Sequence, residues 1–244
     1  MLKTQSWNYF QQHCLHIPEL GMSIDTSRMN APDNLSNTLR EKFNIAIEKM
    51  QELEKGAISN PDENQMVGHY WLRNPDLAPN ESIQKQIIST LEKIQQFALE
   101  VHQKKIKPKN STKFRYVLSL GIGGSSLGPQ LIQSSLGSHE EHMKFYFIDN
   151  TDPDGIDRTI SSIGKGLSET LIIIISKSGN TLETLNAMIE VREYFNRAGL
   201  DFARHAVAVT GETSQLAQLA SKEKWIRCFP MWDWIGGRTS ILSA

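Results

Sequence analysis

Cysteine is nearly absent. Cys14 and Cys228 stand at opposite ends of the 244-residue chain, which excludes a disulfide framework and a CxxC metal site and suits a reducing compartment. Long apolar runs are missing too: no stretch approaches the roughly 20 residues a membrane helix needs, and the N-terminus lacks a basic-then-apolar signal pattern. A soluble, cytoplasmic protein is expected, with no membrane partner. Nor does one sign of charge dominate. Lys and Arg number 26 against 27 Asp and Glu, without the clustered cations that nucleic acid or an acidic surface demands. The one dense basic run, Lys104–Lys109, is broken by Ile106 and Pro108 and reads as a solvated helix end. His13, Cys14 and His16 fall short of the three or four ligands a zinc site requires, so no metal is expected. Repeats and low-complexity segments are also lacking.

What is present divides near residue 110. Residues 1–34 mix aromatics, histidines and turn formers without sustained periodicity and read as an irregular arm. Leu39, Phe43, Ile47, Met50 and Leu53 form one stripe of a helix from Leu35 to Leu53, stopped by Gly56. Residues 57–80, with three prolines around an aromatic cluster, predict a packed loop or short helical piece. A second amphipathic helix spans Ser82 to Val101. The first unit, 1–110, is therefore an arm and a helical region.

Beyond Lys113 short apolar runs alternate with helical segments. Strands are predicted at Phe114–Leu120, Lys144–Asp149, Glu169–Ser176, His205–Thr210 and Trp225–Phe229, and helices at Gly128–Leu136, Pro153–Ile163, Thr181–Ala198 and Ser214–Lys222. Strands joined through helices require crossovers, which yields an α/β fold with a five-stranded parallel sheet over 111–244, preceded by the N-terminal helical region.

The stretch Leu171–Thr184 carries the chemistry. A charge-free branched run suited to a strand buried on both faces turns abruptly into Ser176, Lys177, Ser178, Gly179, Asn180 and Thr181, ahead of helical spacing. Asn180 with Glu183 predicts an N-cap and its capping box. Three hydroxyls and one ammonium then lie within a turn of unpaired helix N–H groups, which suits a phosphate. An ordinary polar crossover loop is the competing reading. The first strand runs into Gly121, Gly123, Gly124, Ser125 and Ser126, where backbone N–H groups can approach a ligand closely. The dinucleotide fingerprint fails because Ser126 replaces its third glycine and Pro129 already starts a helix, and a P-loop fails because Pro129 and Gln130 stand where its Lys and hydroxyl belong. Asp149 reads as the cap of loop Asn150–Asp154. After the last strand come Trp232, Asp233, Trp234, Gly236, Gly237 and Arg238. They read either as core tryptophans with a surface arginine, or as a fixed guanidinium that stabilises negative charge on an oxygen.

In combination and order, GIGGSSLGP (Gly121–Pro129), SKSGNTLET (Ser176–Thr184) and WDWIGGRTSILSA (Trp232–Ala244) resemble the glucose-6-phosphate isomerase family, as does MVGHYWLRNPDLAP (Met66–Pro79). The resemblance covers roughly Leu35 to the terminus. It implies two SIS-type αβα sandwich domains in a homodimer, an enzyme of glycolysis and gluconeogenesis that interconverts glucose 6-phosphate and fructose 6-phosphate through a cis-enediolate without a cofactor. It further implies that Ser176, Lys177, Ser178 and Thr181 hold the sugar phosphate, that Gly124 and Ser125 lie beside the substrate, and that Arg238 faces the enediolate oxygens. The family's proton-shuttling glutamate lies in a later stretch. The chain is accordingly expected to be an N-terminal piece with one SIS-type domain of two, binding phosphosugar and inactive alone. A non-catalytic SIS-type module that senses a phosphosugar is the alternative, and a nucleotide-dependent oxidoreductase is disfavoured by Ser126.

Overall fold

The computed structural model describes the chain except residues 1, 30, 31, 33, 139–142 and 244, and gives the backbone alone for residues 2–5, 36, 238, 239 and 242. The chain divides into two compact units, Met1–Lys49 and Met50–Ala244.

The first unit is more regular than its composition predicts. Helix α1 (Leu2–His13) leads into an antiparallel hairpin of β1 (Cys14–Ile17) and β2 (Met22–Asp25). The amide and hydroxyl of Thr26 both donate to the His13 carbonyl (2.9 Å each), closing the hairpin's base. The irregular arm is thus corrected. Four-residue strands are too short to show a period, and the 3-10 turn Pro18–Leu20 between them interrupts the pattern. His16 Nδ1 pairs with Ser23 Oγ at 2.7 Å, so that ring braces the hairpin. Helix α2 (Leu35–Glu54) forms as expected, but Phe43, Ile47 and Met50 on its apolar stripe stay about half exposed.

In the second unit Gly56 ends α2, its amide donating to the Leu53 carbonyl. A small hairpin, β3 (Ile58–Asn60) and β4 (Gln65–Met66), and two 3-10 turns (His69–Leu72, Pro75–Leu77) precede α3 (Glu81–His102). Asn80 caps α3 by accepting from the Ile83 amide at 3.0 Å. There follow β5 (Tyr116–Leu120), α4 (Gly124–Leu136), β6 (Lys144–Ile148), α5 (Pro153–Ile163), β7 (Thr170–Ser176), α6 (Leu182–Arg197), β8 (Ala206–Thr210), α7 (Gln215–Lys222) and β9 (Arg227–Pro230). The five strands form one parallel sheet in the order β6-β5-β7-β8-β9.

Alternation along β7 sorts its side chains between two cores. Ile172 and Ile174 pack with Ile160 of α5, Val191 and Phe195 of α6 and Leu216 of α7. Leu171 joins Phe97 and Val101 of α3 and Phe229 of β9 in the second cluster. Layers of helix on both faces make this an αβα sandwich. The chain leaves β5 for β6 on one side and then crosses to β7 on the other, so the strand order reverses between β5 and β7. Ligands of open α/β sheets bind at such a point, outside the carboxyl ends of the strands.

Two sequence expectations fail on this face. Helix α4 begins at Gly124, not Gly128, and Pro129 is its sixth residue. Proline's preference for a first turn pointed to the wrong turn, because the preceding glycines already carry helical backbone. Asp149 is no cap either. Its carboxylate accepts from Gln130 Nε2 (2.9 Å) and Asn150 Nδ2 (2.9 Å), while Asp152 caps α5 through the amides of Asp154 and Gly155.

His205, 3% exposed, sits edge-on to Phe114 and Phe195. Its Nδ1 lies 2.8 Å from the Thr170 carbonyl, so Nδ1 carries the proton and donates. Burial pushes its pKa below the ordinary 6.5, against the opposing pull of that carbonyl and of Asp201. The unfolded chain therefore takes up a proton near pH 6.5 that the folded chain refuses. Stability is full above 6.5 and falls as pH drops toward the lower folded value, by at most about 1.4 kcal/mol per unit for one such group. Urea titrations between pH 5 and 7.5 should show this slope, and His205→Phe should flatten it while lowering stability at every pH through the lost carbonyl bond. An unchanged slope in the variant would assign the titration elsewhere.

Candidate functional site

Three polar loops leave the carboxyl ends of β5, β7 and β9. The first, Gly121–Gly123, is held by the Gly121 amide on the Ile148 carbonyl (3.2 Å) and turns through Gly123 at φ +55° into α4. No side chain caps this helix start. Ser126 is buried and its hydroxyl accepts from Gln130 Nε2 at 2.6 Å, so it faces the protein. Gly124 and Ser125 instead line a cavity of about 420 Å³, whose wall is largely apolar, with Phe145, Ile175 and Met231, and carries Gln133, Ser240 and Ser243 as well.

The second loop is a hydroxyl cluster. Ser176, the last residue of β7, is 2% exposed. Its Oγ shares a hydrogen bond with Thr181 Oγ1 (2.9 Å) and accepts from the Gly179 amide (3.1 Å). Ser178 Oγ stands 3.5 Å from the same Thr181 oxygen and accepts from the Asn180 amide. The capping box does not form. Thr181, not Asn180, is the N-cap of α6, and its side chain makes no bond to the helix. Its hydroxyl is turned to the two serines, and the first N–H groups of α6 are not consumed by the cap, as an anion site at a helix start requires. In the same first turn Thr184, 2% exposed, carries a buried Oγ1 without a hydrogen-bond partner. Sequence reading passed over Thr184. Its position three residues after the N-cap, on the face of the loop, was the available signal.

Lys177 is placed differently from the hydroxyls. Its Nζ donates to the Asp233 carbonyl at 2.8 Å, and its own carbonyl accepts from the Gly211 amide at 3.0 Å. The ammonium ties the second loop to the third across the end of β8.

That third loop, residues 231–240, hangs on aromatic packing. Trp232 and Trp234 stack with centroids 4.9 Å apart and planes 12° from parallel, and Trp71 meets Trp234 at 5.3 Å. With Ile83, Ile87 and Ile235 they form a third core. The two tryptophans are thus core residues, and they fix the backbone from which Gly236, Gly237 and Arg238 depart. The Gly68 amide adds a bond to the Trp234 carbonyl (2.9 Å), and Trp71 Nε1 is anchored on the Glu54 carbonyl (2.8 Å). The loop ends in a 3-10 turn, Gly237–Leu242, closed by Ser240 Oγ on the Gly237 carbonyl. Ile241 of this turn lies so close to Gly128 of α4 that a Cβ there would stand 3.1 Å from the Ile241 Cβ. The turn holding Arg238 is therefore seated on the helix that begins with Gly124 and Ser125. The Arg238 side chain lies outside the described residues.

Among the described residues no group of three or more His, Cys, Asp or Glu is arranged to hold a metal ion, and no helix is long and apolar enough to cross a membrane.

A parallel αβα sandwich with its hydroxyl- and glycine-rich loops gathered where the strand order reverses is the SIS-type arrangement. The phosphoglucose isomerase family model matches residues 25–244, and the chain belongs to that family. It is 50% identical over 244 residues to a glucose-6-phosphate isomerase of Desulfitobacterium hafniense strain Y51 and 49% identical to one of Geobacter sp. strain M21. All of this chain is matched in both cases, so the similarity includes the first 34 residues. The chain spans about half the length of these curated relatives, 46% of each. The crystal structure of a glucose-6-phosphate isomerase from Chlamydia trachomatis superposes with a TM-score of 0.82 at 26% identity, covering 97% of this chain and 45% of that one.

Proposed function

We propose that this chain contributes the phosphate-binding part of a cytoplasmic, dimeric glucose-6-phosphate isomerase, interconverting glucose 6-phosphate and fructose 6-phosphate. The observation that carries the reading is the triple hydroxyl cluster of Ser176, Ser178 and Thr181 at an α6 start whose cap leaves the N–H groups unspent. A phosphoryl group placed there meets hydroxyl donors, backbone N–H groups and the positive end of the helix dipole together. Lys177 adds positive charge nearby while holding the Asp233 carbonyl. The sugar then extends toward Gly124 and Ser125 at the neighbouring strand end.

Isomerisation moves a proton between C1 and C2 through a cis-enediolate, whose developing oxyanion needs a fixed positive donor. Arg238, on a turn braced by the tryptophan core and by α4, is the residue proposed for that role. The proton transfer itself is assigned to no described residue, so a polypeptide of these 244 residues is expected to bind phosphosugar and not to turn it over.

Calorimetric titration of this polypeptide with glucose 6-phosphate and with glucose tests the reading. Only the phosphorylated sugar should bind, and Thr181→Val should weaken it about 10- to 100-fold, as the loss of a hydrogen bond to a charged group predicts. Equal affinity for both sugars would overturn the phosphate assignment. In a catalytically complete enzyme, Arg238→Ala separates catalysis from sensing: turnover falls strongly with affinity largely intact, whereas equal loss of both favours a binding module.

A further inference from the structure

We infer that Gln65, in the small β3–β4 hairpin, is a positioning residue for the loop that carries Arg238, acting together with Lys177 on a single carbonyl. The inference rests on the proposed site in one respect only, the importance given to that loop. The Gln65 side-chain amide faces two acceptors, the Asp233 carbonyl and Glu63 Oε2, which assigns its nitrogen to that side; so oriented, it donates to the Asp233 carbonyl at 3.0 Å and to Glu63 Oε2 at 3.1 Å. Lys177 Nζ donates to the same Asp233 carbonyl at 2.8 Å. A carbonyl oxygen has two lone pairs, and here one is taken from each side of the loop. The next carbonyl, that of Trp234, is taken by the Gly68 amide.

Two consecutive peptide groups just before Gly236 and Gly237 are thereby fixed by three donors from outside the loop. Two of them come from the stretch Gln65–Gly68. The arrangement places each donor where it has no freedom to wander. Glu63 Oε2 also accepts from Asn60 Nδ2 (2.9 Å), so the carboxylate that receives Gln65's second hydrogen is itself held across the hairpin. Lys177 is anchored through its backbone by Gly211. The loop needs this outside support because its two glycines add backbone freedom directly before Arg238. An ammonium committed to a carbonyl of the arginine loop also makes Lys177 the physical link between phosphate loop and arginine loop.

The test uses the 244-residue polypeptide and reads two quantities, hydrogen exchange of the backbone amides from Trp234 to Ser240 and affinity for glucose 6-phosphate. Gln65→Glu keeps the side chain's shape but replaces the donor with an oxygen facing an oxygen. It should speed exchange across 234–240 about 10-fold or more while changing affinity less than about 3-fold. Gln65→Lys, which restores a donor of similar reach, should return exchange to within about 3-fold of the parent, a rescue that a merely structural role would not produce. Lys177→Met should speed exchange over the same residues. Faster exchange confined to 58–66 in Gln65→Glu would reduce the residue to a hairpin brace and overturn the inference. So would Lys177→Met that abolishes glucose 6-phosphate binding with exchange of 234–240 unchanged. If the parent polypeptide binds no phosphosugar, the proposed function fails while the exchange comparison still decides the role of Gln65.

Discussion

Replacing Gly68 with alanine is expected to cost about 3 kcal/mol and lower the thermal midpoint by roughly 6–12 °C, from one added methyl group. The cause is packing and not backbone strain, since Gly68 sits at φ −121° and ψ 20°, which alanine adopts freely. A Cβ there would overlap the six-membered ring of Trp71 and stand 2.7 Å from Cε3 of Trp234. Trp71 is fully buried and tethered through its Nε1 to the Glu54 carbonyl, so its ring cannot retreat without losing that bond. Trp234 can move only by unstacking from Trp232 and pulling its carbonyl from the Gly68 amide. Either displacement disturbs the backbone leading to Arg238. The variant should therefore show a changed near-ultraviolet dichroism together with the lower midpoint. A midpoint within about 1 °C of the parent would mean that this tryptophan core is loosely packed.

Much of this architecture was legible because period and composition agree. The run at Leu171–Ile175 is apolar on both faces and branched throughout, and it became the central strand with helices on either side. Pro153–Ile163 was readable to the residue, since Asp152 caps it, proline occupies its first position and isoleucines recur along one face. The failures share a cause, the weight given to a single local signal. Pro129 suggested a helix start at Gly128, four residues late, and the Asn180–Glu183 spacing suggested a capping box where Thr181 is the cap. A free threonine hydroxyl is worth more to this loop as part of the Ser176–Ser178 cluster than as a helix cap. Lys177 was read as part of the phosphate loop, but its shared contact with Gln65 was beyond any local reading. Their common partner, Asp233, lies far along the chain, and only the fold brings the three together. The aromatic segment near Trp71 was visible as a cluster, but its task of bracing Trp234 was not.

Gly179 gives the sharpest separation between loop geometry and loop stability, and Gly199 supplies its control. Both take left-handed backbone, φ +69° and +66°, which costs an L-residue roughly 1–2 kcal/mol. At Gly199, past the end of α6, an added Cβ would meet nothing within 4 Å. Gly199→Ala should accordingly cost only about 1 kcal/mol and leave glucose 6-phosphate affinity unchanged. At Gly179 the same methyl would meet Ser214 Oγ at 2.6 Å and the Leu216 amide at 3.1 Å. Ser214 has little room to yield, because its Oγ caps α7 through the Ala217 amide and pairs with Thr210 Oγ1. Thr210 in turn donates to the Ser176 carbonyl at 2.6 Å. The loop must then give way instead, and the Gly179 amide leaves Ser176 Oγ, the oxygen placed against Thr181. Gly179→Ala is expected to cost about 3 kcal/mol, combining the backbone penalty with overpacking, and to weaken glucose 6-phosphate binding at least about 30-fold. The two variants share their backbone penalty, so any difference in affinity reports the displacement of the loop that holds the hydroxyl cluster. Indistinguishable affinities would show that a phosphosugar does not depend on where Ser176 and Thr181 are held.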